Sequence, residues 1–502
     1  MDLIQHLWLG FQTALSLQNL WWCFVGALLG TLIGVLPGLG PVATIAMLLP
    51  SIYTLDATPA LIMLAGIYYG AQYGGSTTAI LINVPGEATS VVTALDGYQM
   101  ARQGRAGAAL AIAALGSFIA GCVATLAIAA FAGPLTALAA SFGPAEYFSL
   151  MALGLIGAVV LASGSLVKAI GMVLLGMLLG QVNRDVISGV ARYTFDLPEL
   201  SDGIGVVGIA MGVFGFGEII ANLSTPAAQR EVFTTRVQGL WPTKEDWRAA
   251  WPAVLRGTGL GSILGVLPGG GALLASFASY AVEKKLARDP SRFGRGAIEG
   301  VAGPESANNA GAQTSFIPML TLGIPPNAVM ALMVGAMTLK GIQPGPQVMT
   351  EQPALFWGLI ASMWVGNLML LVLNLPLIGV WVKLLSVPYR FLAPAIVVFC
   401  AVGLYTVGNS SFDVYVGAAF GLFGFLMFKL GCEPAPLLLG YVLGPMMEEK
   451  MRQALLISHG NWGSFFTRPL SAGLLVAAAG LVLVVMLPAI RSRREETFQD
   501  GD

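Results

Sequence analysis

Eight apolar runs, near residues 107–131, 146–163, 166–182, 204–222, 355–382, 391–408, 414–430 and 471–489, are each long enough to cross a bilayer. A helical span needs roughly 17–25 apolar residues, so these runs commit most of the chain to lipid. Charge usage agrees: 10% of residues are Asp, Glu, Lys or Arg, against about 25% in soluble domains. A net charge of −1 leaves no basic face able to track a nucleic-acid backbone. Cys23, Cys122, Cys400 and Cys432 lie in or beside apolar stretches without CxxC spacing, so they read as small hydrophobes. The first residues, Met1 to His6, lack the basic region of a cleavable signal and are expected to be retained.

Three further apolar regions, 20–55, 58–101 and 253–342, are interrupted by Pro and Gly and carry an internal repeat. Gly26-Ala-Leu-Leu-Gly-Thr-Leu-Ile-Gly-Val-Leu-Pro-Gly-Leu-Gly40 matches the run Gly257 to Gly271 at nine of fifteen positions. Both place glycine at every fourth residue and close on Val-Leu-Pro-Gly-x-Gly. Downstream, Gly70-Ala71-Gln72 and Gly311-Ala312-Gln313 precede Pro85 and Pro326 by equal intervals. The 64 glycines therefore belong to close helix packing and to broken helices, where small residues let backbones approach.

Basic residues orient the copies, because Lys and Arg concentrate in cytoplasmic loops. The segment after the first motif, 53–59, has none, whereas its counterpart holds Lys284, Lys285, Arg288, Arg292 and Arg295. One element later the asymmetry reverses, with Arg102 and Arg105 in the first copy and none in 343–351 of the second. The copies are thus expected to be inverted. Each is expected to hold a re-entrant helical hairpin, its arms too short to span, followed by a broken helix that crosses. The expected fold is an all-α polytopic membrane protein with about 10–12 transmembrane helices. Its first core would be 1–106 (hairpin 20–55, broken helix 58–101), then intervening helices 107–222 and a cytoplasmic basic loop 223–252. A second core, 253–345 (hairpin 253–282, broken helix 298–342), C-terminal helices 346–490 and a cytoplasmic tail 491–502 would follow. The segment 434–447 must also cross for that tail to lie inside, although it is short.

Irregular backbone at membrane depth is tolerated only inside protein or along a cavity, so the breaks are the candidate site. Half-helix N-termini offer free amides to anions, and C-termini offer carbonyls to cations. Expected substrate contacts are Pro37, Gly38, Gly40, Ser76, Thr77, Thr78 and Asn83 in the first copy. In the second they are Pro268, Gly269, Gly271, Ser306, Asn308, Asn309, Gln313 and Thr314. Glu305 is the expected ion-coupling group, since a carboxylate among carboxamides inside a membrane is expensive. Glycine ladders also serve plain helix packing, and Ser or Thr in a helix commonly satisfies its own backbone carbonyls. Glu87 fits either an ion site or the membrane interface; Lys168 and Glu218, near span ends, read as snorkelling or structural.

A nucleotide-driven pump lacks a G-x-x-x-x-G-K-[ST] loop, and a metalloprotease lacks HExxH, with only His6 and His459 available. No catalytic residues, bound metal or cofactor are expected. Inverted repeats with discontinuous helices are the usual build of a secondary transporter; a channel and a non-transporting docking or receptor subunit are the alternatives.

Gly34-Val-Leu-Pro-Gly-Leu-Gly-Pro41, Tyr69-Gly-Ala-Gln-Tyr-Gly-Gly-Ser-Thr77, Asp96-Gly-Tyr-Gln-Met100 and Gly303-Pro-Glu-Ser-Ala-Asn-Asn-Ala310 resemble the large membrane subunit of the tripartite tricarboxylate transporters, the TctA type. The resemblance covers nearly the whole chain. It implies a multi-pass permease of the bacterial inner membrane, working with a small four-helix membrane subunit and a periplasmic solute-binding protein. It further implies uptake of a tricarboxylate or related organic acid, driven by a Na⁺ or H⁺ gradient. By analogy with other hairpin-bearing carriers, the repeat unit would move against the remaining helices in an elevator-like way.

Overall fold

The computed structural model describes residues 3–36, 40–83, 86–162, 165–185, 188–224, 239–267, 271–384 and 389–486. Pro37, Gly38, Pro268, Gly269, residues 225–238 of the basic loop and the tail lie outside the described residues. Apart from a two-residue antiparallel pair, Asn183–Arg184 with Ala191–Arg192, the described secondary structure is helical. With its apolar helices this is an all-α polytopic membrane protein. Four helices are long and apolar enough to cross a membrane by length and composition, within Leu17–Val35, Ala106–Ala139, Pro353–Asn374 and Ser411–Lys429.

The chain begins with α1 (Leu3–Ala14), α2 (Leu17–Val35), α3 (Pro41–Leu48), α4 (Ala57–Ile82), α5 (Val91–Arg102) and α6 (Ala106–Ala140). Then come α7 (Pro144–Leu161), α8 (Leu166–Gly180), α9 (Val206–Ala210) and α10 (Gly217–Ser224), the last two joined by a π-helical turn, Met211–Phe216. The second repeat supplies α11 (Lys244–Leu264), α12 (Gly271–Leu286), α13 (Glu299–Thr314), α14 (Phe316–Leu322) and α15 (Ala328–Leu339). After α16 (Gln347–Glu351) come α17 (Pro353–Asn374), α18 (Ile378–Leu384), α19 (Tyr389–Gly408), α20 (Ser411–Lys429), α21 (Pro434–Ile457), α22 (Ser464–Thr467) and α23 (Pro469–Met486). At 24 residues α21 is about 36 Å long, so the stretch that looked short at 434–447 is part of a longer helix. The arm before the first Pro-Gly motif is also longer than expected, 19 residues in α2 or about 28 Å.

The glycine ladders explain how the repeat packs. A Cβ on Gly26, Gly30 or Gly34 would come within 2.3–2.4 Å of the carbonyl oxygens of Met63, Ile67 and Ala71, so α2 lies directly on the α4 backbone. The second copy repeats this contact, with Gly257, Gly261 and Gly265 against the carbonyls of Gly303, Ala307 and Gly311 of α13. In each copy one helix is pressed against the next at a distance that only Cα hydrogens permit. The helices so gripped, α4 and α13, form the interior: residues 59–81 and 300–314 are buried without exception.

Both gripped helices lead to the same kind of break. α4 ends on Asn83 with φ 53°, and α14 ends 240 residues later on Gly323 with φ 73°. Left-handed C-caps of this kind favour Asn and Gly. Prolines follow in both copies, Pro85 and Pro325-Pro326, and proline turns the preceding residue away from helical geometry. The chain resumes beyond Glu87 and beyond Asn327, again 240 residues apart, and the Asn327 side chain caps α15 by accepting the Met330 N–H (2.9 Å).

Each copy also clasps the other. Asp96, on α5 of the first, is buried and accepts the N–H groups of Gly294 (2.9 Å), Gly296 (2.8 Å) and Ala297 (2.8 Å), plus the Tyr280 hydroxyl (3.0 Å). These partners belong to α12 and to the loop leading into α13. Reciprocally, Lys340, at the end of α15, donates to the carbonyls of Tyr53 (2.7 Å) and Leu55 in the loop leading into α4. A carboxylate gathers amides in one clasp, and an ammonium gathers carbonyls in the other.

Candidate functional site

Between the repeat elements and the remaining helices lies a cavity of about 450 Å³. The repeat side contributes Gly40–Ala43 of α3, Tyr68 and Gln72 of α4, Gly86, Glu87 and Thr89 at the first break, Ala272 and Leu273 of α12, and Asn327–Val329 at the second break. The facing side contributes Ala158 and Ala162 around the end of α7, Phe214 and Glu218 at the π-helical turn, and Glu433, Ala435, Pro436 and Leu439 of α21.

The first turns of α3, α12, α15 and α21 all line this space. Helix N-termini carry unsatisfied N–H groups and about half a positive charge each. Lys, Arg and His are missing from the described lining residues, which include Glu87, Glu218 and Glu433, so helix ends are the source of positive charge there. Caps differ among the four ends. Asn327 caps α15 and Glu433 stands at the cap of α21, whereas α3 starts at Gly40 without a side-chain cap. The Gly40 N–H instead reaches the Glu218 carboxylate. Glu218 therefore lines the cavity and holds the start of α3, the structural one of its two sequence readings. Lys168 does serve structure, donating to the Leu430 carbonyl (2.6 Å) at the end of α20.

A polar network runs inward from the cavity wall. Thr89 Oγ1 lies 2.6 Å from Glu87 Oε1 and 3.1 Å from Gln72 Oε1, and Asn308 Nδ2 donates to Glu87 Oε1 (3.2 Å). On the same helix as Asn308, Glu305 is fully buried and accepts the hydroxyls of Ser76 (2.6 Å) and Thr93 (2.5 Å). Asn309 Nδ2 donates to Ser117 Oγ (2.7 Å) and to the Glu305 carbonyl (3.0 Å). One carboxylate and its neighbours thus join α4, α5, α6 and α13.

The residues singled out from the sequence separate into three groups. Gly40 lines the cavity, and Gly271 starts α12 beside it. Ser76, Asn308, Asn309 and Glu305 belong to the inner network, while Gln313 Nε2 approaches Asn367 Oδ1 of α17 at 3.4 Å. Thr77, Thr78 and Thr314 bond to carbonyls of their own helices, those of Tyr73 (3.3 Å), Gly75 (2.8 Å) and Ala310 (3.0 Å). Ser306 Oγ is buried without a hydrogen-bond partner, and Asn83 is exposed at the helix end.

Gln72, Thr89, Thr93, Ser117, Glu218, Asn327 and Glu433 were not singled out. Two of them had readable signals: Asn327 occupies the position of Glu87 in the repeat, and Glu433 directly precedes a helix-starting proline. Glu218 had none, because the π-helical turn before it changes which face a regular helix would present.

A cavity at the boundary between packed helix groups, lined by helix N-termini and by Glu87, Glu218 and Glu433, is the build of a membrane transport protein. Residues 20–439 match the Tripartite tricarboxylate transporter TctA family, and the chain belongs to that family. It is thereby a permease subunit of a multi-subunit transporter; transport, not catalysis, is the activity that membership supports. The chain is 61% identical over 502 residues, the full length of both, to "Uncharacterized 52.8 kDa protein in TAR-I ttuC' 3'region" of Agrobacterium vitis. It is also 61% identical over 242 residues to "Uncharacterized protein in TAR-II ttuC' 3'region" of the same organism, covering 48% of this chain and all of that protein. No solved structure matches.

Proposed function

We propose that this permease imports a tricarboxylate or a related organic acid across the bacterial inner membrane, receiving it from a periplasmic solute-binding protein and coupling uptake to a cation gradient. A small four-helix membrane subunit completes the complex. What supports the substrate class is family membership together with the convergence of four helix N-termini on one cavity that has no basic side chain among its described lining residues, its carboxyl groups Glu87 and Glu218 being held by Thr89 and Asn308 and by the Gly40 N–H. Free amides hold a carboxylate, and they release it more readily than a buried Arg would. The segments on either side of the two Pro-Gly-x-Gly motifs are read as inverted hairpins, and the described residues that follow the motifs, Gly40–Ala43 and Ala272–Leu273, line this cavity. Ser76, Asn308, Asn309 and Gln313 lie behind the wall, so their proposed part is to support Glu87 and Glu305 and to reach substrate only when the wall rearranges. Glu305 is the proposed coupling group.

The reciprocal clasps of Asp96 and Lys340 favour a motion in which both copies move together. The cavity lies between them and α7, α10 and α21, so relative displacement of the two groups would open it alternately to each side. The test is reconstitution with the two partner subunits and labelled citrate and other di- and tricarboxylates. Accumulation above the outside concentration, abolished when the cation gradients are collapsed, is expected. Saturable binding without accumulation of any acid would leave a docking subunit, and downhill flux alone would leave a channel.

A further inference from the structure

Apart from the large cavity there is a second, small space of about 20 Å³, bounded by α4, α6, α13, α17 and α18. That is room for one water-sized body. Its wall holds the Glu305 carboxylate, the hydroxyls of Ser76 and Ser117, the phenol of Tyr73 and the side-chain amide of Asn374. Among the described residues no other carboxylate, and no Lys, Arg or His, lines it.

Two of those oxygens have no bonding partner. Tyr73 and Asn374 are each 4% exposed, and both Tyr73 Oη and Asn374 Oδ1 lack a hydrogen bond. The Asn374 amide is oriented by its nitrogen, which donates to Thr31 Oγ1 (3.4 Å) and the Leu370 carbonyl (2.9 Å), so its carbonyl oxygen is the group left over. An unsatisfied buried polar group costs about 1–3 kcal/mol. Two of them beside a buried carboxylate form a cluster of oxygens suited to a cation. The Ser76 hydroxyl donates to Glu305 (2.6 Å), with the Gln72 carbonyl as its second acceptor in reach (2.9 Å), and in either case its lone pairs are left for another partner. Asn374 is also the last residue of α17, where the negative end of the helix faces the cell.

We propose that this cell binds one dehydrated Na⁺ ion, with Glu305, Ser76, Ser117, Tyr73 and Asn374 as its oxygen ligands. The inference rests on the cation-coupled reading of the permease and deepens it by giving the ion a place apart from the substrate cavity. All the donors are hard oxygens, and their single carboxylate matches a single positive charge. A divalent ion is ordinarily held by more carboxylates or by retained waters, and a hydrated ion exceeds the space. Because Ser76 and Glu305 connect α4 to α13, an ion here would hold the two gripped helices of the repeat together. The adjoining Asn308–Glu87 contact (3.2 Å) then links its occupancy to the wall of the large cavity.

The test uses the purified full chain in lipid nanodiscs, without substrate or partners, and measures ²²Na⁺ binding and thermal stability in NaCl, KCl or choline chloride at equal ionic strength. Saturable ²²Na⁺ binding and stabilisation by Na⁺ over K⁺ and choline are expected. Tyr73→Phe removes only an unpartnered hydroxyl, and Asn374→Leu removes only the amide, so both variants should fold. Each should weaken Na⁺ affinity at least about tenfold, the loss that even an outer-shell partner can cause, and Glu305→Gln should abolish binding. Absence of Na⁺ binding, or an unchanged affinity in both Tyr73→Phe and Asn374→Leu, overturns the site and leaves the cell to a water. Carboxylate uptake in the reconstituted complex separates the two claims. Na⁺-driven uptake whose Na⁺ dependence is unchanged in these variants removes the site and keeps the transport reading. Na⁺ binding that follows the predicted pattern, with no acid accumulated, keeps the site and removes that reading.

Discussion

Adding one carbon to Gly261 tests whether the glycine ladder is a contact surface or a compositional habit of membrane helices. A Cβ there would sit 2.2 Å from the Ala307 carbonyl oxygen and 2.8 Å from Ala310 Cβ. Reaching ordinary contact at 3.4 Å requires α11 and α13 to separate locally by about 1.2 Å. The obstacle is backbone, so no rotamer change relieves it, and α13 is held from its other side by the Glu305 and Asn309 bonds to Ser76, Thr93 and Ser117. Overpacking of this kind costs about 1–3 kcal/mol. Two positions earlier on the same helix, a Cβ on Gly259 would meet nothing within 4 Å. Gly259→Ala should therefore show only the helix-propensity gain of about 0.5–1 kcal/mol. The propensity gain is common to both variants, so they should differ by the overpacking cost alone, roughly 1–3 kcal/mol. The assay is thermal unfolding in detergent, followed by size-exclusion recovery of the monodisperse protein after heating. Gly261→Ala should melt below the parent and Gly259→Ala at or above it, with Gly30→Ala in the first copy behaving like Gly261→Ala. Equal shifts for the Gly261 and Gly259 variants would refute the packing argument.

Asp96→Ala removes the acceptor of three amides, of which that of Ala297 is buried and would cost about 1–3 kcal/mol when orphaned, so hydrogen exchange at Ala297 should accelerate at least tenfold, with smaller gains at Gly294 and Gly296. Asp96→Asn keeps an acceptor oxygen and should retain most of the protection; equal exchange in both variants would count against the clasp. Filling the large cavity with Val42→Trp or Leu439→Trp should abolish carboxylate uptake while expression and melting stay near the parent, and full uptake in both would place the substrate elsewhere. Single cysteines introduced for membrane-impermeant labelling should react from the cytoplasm at Ser291 and from the outside at Thr54 and Thr350. Labelling of Ser291 and Thr54 from one side would reverse the inverted arrangement proposed for the repeats.

The helical breaks were legible because the chemistry that makes them is local. Asn83 and Gly323 accept left-handed geometry, the following prolines prevent continuation, and the same order of residues recurs 240 positions later. The ladder was legible for the same reason: four-residue spacing places Gly257, Gly261 and Gly265 on one face of a helix without reference to the rest of the molecule. Glu305 stood out because an ionisable group within an apolar segment is costly wherever it points.

What each polar residue touches was not legible in this way. Ser76 and Glu305 are 229 positions apart, and Asp96 is about 200 from the loop it holds; no local pattern distinguishes these partners from serines and threonines that bond their own helix. The tertiary structure also set the cavity apart from the inner network, placing Ser76, Asn308 and Gln313 behind the wall and bringing Glu218, Asn327 and Glu433 to it. By itself, then, the sequence determined that this chain is a repeated bundle of membrane helices with two broken elements, because spacing, glycine and proline act over a few neighbouring residues. Only the tertiary structure decided where an anion could enter and which oxygens surround Glu305. Those positions depend on how helices far apart in the chain pack on one another.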